Sequence, residues 1–120
     1  MDLDSIQLRV RREIDQYVYR VPSGAIGTPW SDSKVQSHLK DLRDSLVPPY
    51  LATVRMSQPF SMIGSDVYED RECVIVADPK DGYLLFYDPV EDNFGVADQR
   101  DDSLFDLGIP GDAVGSFMAR

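Results

Sequence analysis

The sequence predicts an α+β domain in which an antiparallel sheet of three to five strands is covered on one face by two N-terminal helices and followed by a short C-terminal helix. Apolar residues recur at helical spacing in two segments before residue 47, and a compact apolar run with two turn-bounded aromatic segments follows between residues 72 and 97. A chain of 120 residues with 42% hydrophobic content suits one domain, 1–120, because each half alone would bury too little surface to offset its chain entropy.

Leu3, Ile6, Val10, Ile14 and Tyr17 recur at steps of three and four among charged residues, which predicts an amphipathic first helix with Asp4 or Ser5 as its cap. Val21 to Gly27 combines a proline with two glycines and reads as loop. Thr28-Pro29 then offers a capping oxygen and a first-turn proline for a second helix whose stripe is Val35, Leu39, Leu42 and Leu46. Pro48-Pro49 is expected to stop it. Tyr50 to Met56 alternates and carries β-branched residues, so it reads as a strand, with a short helix after Pro49 as the alternative.

Glu72 to Ala77 is an unbroken apolar run of strand length. Asp78-Pro79-Lys80-Asp81-Gly82 is turn chemistry, Tyr83 to Tyr87 a strand, Asp88 to Asn93 a second turn and Phe94 to Ala97 a third antiparallel strand. An acidic loop is expected from Asp98 to Asp102. Leu104, Phe105, Leu107 and Ile109 then return along the core, and Asp112 caps a short last helix despite the cost of Gly115 inside it.

Charge is the most informative part of the composition. The formal net charge is -9, and residues 1–61 carry 8 basic and 7 acidic side chains whereas residues 62–120 carry 4 and 14. Such a field repels nucleic acid and attracts a basic partner. Cys73 is the only cysteine, which suits a reducing compartment, and no apolar stretch is long enough to cross a bilayer, so a cytoplasmic protein with no membrane partner is expected.

Residue patterns for catalysis and cofactors are lacking. His38, the one histidine, falls at the edge of an apolar helical stripe, and Cys73 sits in the most apolar strand, where a thiol is buried and inert; nothing local brings the two together. An EF-hand aligned on Gly82 puts Ala77, Pro79 and Asp81 at ligand positions, and one aligned on Gly95 puts Val90, Asp92 and Phe94 there; both fail. A weak cation site among Asp88, Glu91 and Asp92 stays open. Gly108, Gly111 and Gly115 match neither phosphate-cradling glycine pattern, and Trp30 reads as a staple on its loop or as a binding anchor. No catalytic residue, cofactor or metal is therefore expected.

The stretch Cys73-Val74-Ile75-Val76-Ala77-Asp78, with Gly82-Tyr83-Leu84-Leu85-Phe86-Tyr87-Asp88, resembles the central hairpin of the Smi1/Knr4 (SUKH) superfamily, and Leu46-Val47-Pro48-Pro49-Tyr50 is similar to the approach to that family's early helix. The family's Asn-Gly-Gly segment has no counterpart at Ser57 to Ser61. The resemblance implies a helix over Tyr50 to Met56 and an immunity role, in which the protein binds and neutralises a toxin, often a basic nuclease. With the acidic half, it gives the expected function: a non-catalytic module that holds a cognate toxin through Glu69, Asp70, Glu91, Asp92, Asp101 and Asp102. The alternative is a regulatory or scaffold domain that binds a peptide or partner subunit through an exposed sheet edge.

Overall fold

The computed structural model describes residues 2–19, 29–56 and 69–120. The chain is α+β, with three helices and five strands among those residues. Helix α1 (Leu3–Asp15) and helix α2 (Asp32–Ser45) come first. Strands β1 (Leu46–Met56), β2 (Glu69–Ala77), β3 (Tyr83–Asp88), β4 (Asn93–Arg100) and β5 (Ser103–Asp106) follow, and helix α3 (Ala113–Met118) is last.

The caps fall earlier or later than the sequence suggests, for reasons of local bonding. Asp2, not Asp4 or Ser5, caps α1, its carboxylate accepting both of those residues' backbone N–H groups. Helix α2 starts after Ser31, whose hydroxyl accepts the Lys34 N–H, so Pro29 and Trp30 precede the helix; Thr28 and the loop Val21 to Gly27 lie outside the described residues. Pro48-Pro49 does not terminate α2. The helix ends at Ser45 and passes directly into β1, where the two prolines fall within an irregularity of the β1–β2 register between Leu46 and Tyr50. An irregular strand segment tolerates two missing donors, which a helix interior does not. Tyr50 to Met56 is strand, as its alternation predicts and contrary to the helix the resemblance implies.

The five strands form one meander, antiparallel at every step, that closes into a barrel where β5 meets β1 in parallel through Arg55 and Phe105. An α+β chain with a five-strand antiparallel meander matches the expectation, and its closure into a barrel is the difference. Val74, Val76, Leu85, Phe94 and Val96 pack with Ile6, Val10 and Ile14 of α1, Val35, Leu39 and Leu42 of α2 and Val114 and Phe117 of α3. The alternate side chains Val54, Cys73, Ile75, Leu84, Phe86 and Ala97 form a second cluster made only of strand residues, which fills the barrel. Both faces of β2 are thus buried, and the physical reason for its unbroken apolar run is two cores instead of one.

Gly95 lies directly across from Phe86, and a Cβ on it would stand 2.6 Å from the ring's Cζ, so the glycine makes room for the largest side chain in the barrel. Asp98 to Arg100 belong to β4, which shortens the expected acidic loop to the turn at Asp101 and Asp102.

Candidate functional site

Because the strands alternate in direction, the barrel has two distinct ends. Met56 pairs with Glu69, and Asp88 with Asn93, at the end that also receives Asp106. The opposite end carries the Asp78 to Gly82 turn and the turn between Arg100 and Ser103, joined by a 2.9 Å bond from the Gln99 N–H to the Gly82 carbonyl. The six acidic residues singled out in the sequence therefore separate. Glu69, Asp70, Glu91 and Asp92 lie at the first end, which we term the mouth, and Asp101 and Asp102 are exposed on the far one.

The mouth contains a cleft of about 450 Å³. Phe86 and Met56 give it an apolar floor, and Glu69, Asp88, Glu91 and Asp106 stand around it with Arg71. Among the described lining residues, four carboxylates face one guanidinium. At neutral pH that leaves a concave negative surface, and concavity concentrates the field that a partner meets.

Arg71 organises the walls. Its Nη1 donates to Asp88 Oδ2 at 2.6 Å and its Nη2 to Glu69 Oε2 at 3.2 Å, while Asp88 Oδ1 accepts the Val90 N–H at 2.9 Å. Asp88 is only 2% exposed and the Arg71 side chain 16%. Partial burial works against the Arg71 charge, but the bonds and field of Asp88 and then Glu69 outweigh it and raise its pKa above the ordinary arginine value. A buried ion pair of this kind is held by geometry: removing either partner strands the other charge.

The other sequence candidates are engaged elsewhere. Asp70 pairs with Arg55 at 3.7 Å, across the β1–β2 ladder. Asp92 adopts a left-handed backbone conformation and accepts from Arg9 Nη1 and from the Tyr87 hydroxyl, both at 2.6 Å. The Tyr87 bond and then Arg9 hold its carboxyl below the usual aspartate range. Its side chain thus ties the β3–β4 turn to α1. Of the loose grouping Asp88, Glu91 and Asp92, Asp88 is committed to Arg71 and Asp92 to Arg9 and Tyr87; no group of three or more potential metal ligands converges among the described residues.

Cys73 is buried in the barrel, and burial, followed by the nearby Asp88 charge, pushes its thiol up to about 12, which leaves it un-ionised at neutral pH. His38 is on α2, its ring stacked on Trp30 at 4.8 Å between centroids, and Trp30 stacks in turn on Tyr19 at 6.2 Å. Trp30 is thereby a staple between the segment after α1 and the start of α2. The thiol and the imidazole belong to different parts of the molecule.

Arg71 and Asp106 were absent from the sequence candidates and Asp88 entered only as a possible cation ligand, although a signal for the pairing of Arg71 with Asp88 was present. Arg71, Cys73 and Ile75 alternate on β2, and Leu84, Phe86 and Asp88 on β3, so continuing each inward-facing series to the same barrel end brings opposite charges together. No helix among the described residues is long and apolar enough to cross a membrane. Comparison of the chain with protein-family models, curated proteins and solved structures finds no match.

Proposed function

We propose that this chain is a non-catalytic protein-binding module that neutralises a basic partner by docking it on the acidic mouth of the barrel, in the manner of an immunity protein. The observation that carries the reading is the cleft itself, where, among the described residues, Glu69, Asp88, Glu91 and Asp106 line the walls with Arg71 over an apolar floor. A negative, concave and partly apolar patch suits a cationic protein surface: complementary charge speeds encounter and selects the partner, and the apolar floor adds the burial that holds it. The layer of helices on the outer side of the sheet serves as the scaffold. The toxin as partner follows from the hairpin resemblance at Cys73 to Asp88, and the cytoplasm is its proposed place of action.

The structure divides the six proposed contacts into a mouth group and a far pair, and the experiment uses that division. The chain is produced together with the protein encoded beside it, and affinity and growth rescue are compared across variants. Glu69→Lys with Glu91→Lys is expected to weaken binding about tenfold or more, mostly through slower association, and to flatten its salt dependence. Asp101→Lys with Asp102→Lys is expected to leave affinity within about twofold, as rim charges beyond a Debye length of about 8 Å contribute little. Equal losses in both pairs, or indifference to both, overturn the reading.

The sheet-edge alternative has one observation in its favour: β1 pairs with β5 only at Arg55, and Tyr50 and Leu51 on that strand are 46% and 50% exposed. Pro48 and Pro49 remove two N–H donors from the same strand, which makes it a poor template for an added strand.

A further inference from the structure

Resting on the mouth as the partner-binding surface, we infer that Arg9 of α1, outside the cleft, is a positioning residue for partner recognition: through Asp92 it fixes the turn that carries Glu91 to the cleft wall. That turn runs through Pro89, Val90, Glu91 and Asp92, between the paired residues Asp88 and Asn93. Glu91 stands exposed on it, so the place of its carboxylate is set by the backbone of the turn. The backbone is anchored at each end by an arginine from a different element. At its start, Asp88 is bound to Arg71 of β2, and its Oδ1 accepts the Val90 N–H. At its finish, Arg9 reaches across from α1 with a fork, Nη1 donating to Asp92 Oδ1 at 2.6 Å and Nη2 to the Asp92 carbonyl at 3.2 Å. The second bond acts on the main chain itself, and so on the neighbouring Glu91.

Asp92 has a left-handed backbone, φ 53°, which a non-glycine residue keeps where its surroundings hold it. Arg9 and the Tyr87 hydroxyl supply that hold, and Arg9 is itself fixed on its other side. Its Nε donates to Glu13 Oε2 at 3.1 Å, and Glu13 Oε1 accepts the Ala113 N–H at 3.0 Å. The Arg9 guanidinium also lies 5.2 Å from the Phe94 ring centroid and 5.6 Å from that of Tyr87. Helix α1 and the start of α3 are thus the bearing from which the turn is held. Fixing Glu91 in advance lowers the ordering cost of binding through it. Field and position here predict opposite signs. Arg9 is a positive charge beside an acidic mouth, so its removal tightens a basic partner if charge alone matters and weakens it if position does.

The test compares the parent chain with Arg9→Met, which keeps an apolar stem and removes the fork. Relaxation measurements on the isotope-labelled full chain should show the Glu91 amide falling from an order parameter of about 0.85 toward about 0.6, with Gly82 in the opposite turn unchanged. Arg9→Lys keeps the charge but cannot span both Asp92 oxygens; it should move Glu91 less in the same direction, and it replaces the methionine variant if that does not fold. Against the protein encoded beside the chain, Arg9→Met should weaken affinity about threefold to tenfold and add nothing in a Glu91→Gln background. A Glu91 amide as ordered as in the parent, a loss of order shared by Gly82, tighter binding without Arg9, or an effect undiminished in the Glu91→Gln background overturns the inference. The docking reading fails separately. A partner indifferent to the Glu69 and Glu91 charge reversals, with a turn that loosens in Arg9→Met, removes the docking surface and keeps the positioning of Glu91. A partner sensitive to those reversals, with a turn unmoved in Arg9→Met, does the opposite.

Discussion

At Gly95 a single hydrogen atom decides the packing of the barrel. The Phe86 ring occupies the place where a side chain would begin, with its Cζ 2.6 Å from a notional Cβ, and the ring is 1% exposed. Gly95→Ala should therefore destabilise the protein by about 1–3 kcal/mol, in the range of overpacked cores. Phe86→Leu combined with Gly95→Ala should cost less than the two single changes summed, since the smaller side chain removes the clash. Urea unfolding of the three variants measures both. The glycine was visible in the sequence, but its reason was not: only the cross-strand register sets Phe86 opposite it. The same holds for Asp88, whose place after an aromatic strand reads as turn chemistry while its carboxylate is buried on Arg71.

Among the elements, α3 shows how little sequence a helix needs when its start is fixed. Its six residues include Gly115, a poor helix former, yet a Cβ there would lie 2.6 Å from Asp112 Oδ1, the atom that accepts the Gly115 N–H. The glycine leaves space for its own cap. Glu13 of α1 accepts the Ala113 N–H at 3.0 Å, so a second carboxylate serves the same first turn from a distant element. Asp112→Ala should cost about 1 kcal/mol in urea unfolding. Element types were largely legible because period and turn chemistry are local: the helices, the hairpin from Cys73 to Asp88 and the strand at Tyr50 to Met56 all follow from them. Boundaries were less so, because Ser31 competes with Thr28-Pro29 as a start for α2 and an irregular strand accommodates Pro48-Pro49.

For the whole molecule, closure of the barrel was the feature that local patterns could not reveal. The unbroken run in β2 indicated burial on both faces without saying what lay on the second, and the answer depends on β5 reaching β1 across the full sheet. The candidate site suffered most from this gap, since its members come from all five strands, the turn between β3 and β4 and the segment after β5. Asp92 joins this barrel to α1 through Arg9 and Tyr87. Its carboxyl is held below the ordinary aspartate range, so the associated stability is present above about pH 4 and is lost as pH falls through the lowered value. Asp92→Asn retains a residue tolerant of the left-handed backbone and should lower the urea midpoint at pH 7, with the gap to the parent protein closing as pH falls below the ordinary aspartate range.

The direct passage from Ser45 to Leu46, secured by the Asp78 N–H on the Ser45 carbonyl at 2.8 Å, leaves no linker between α2 and the first stave of the barrel. A load applied along α2 would pass straight into β1. Pulling on that helix should accordingly unzip the staves from their seam at Arg55 and Phe105, instead of peeling the helix away first.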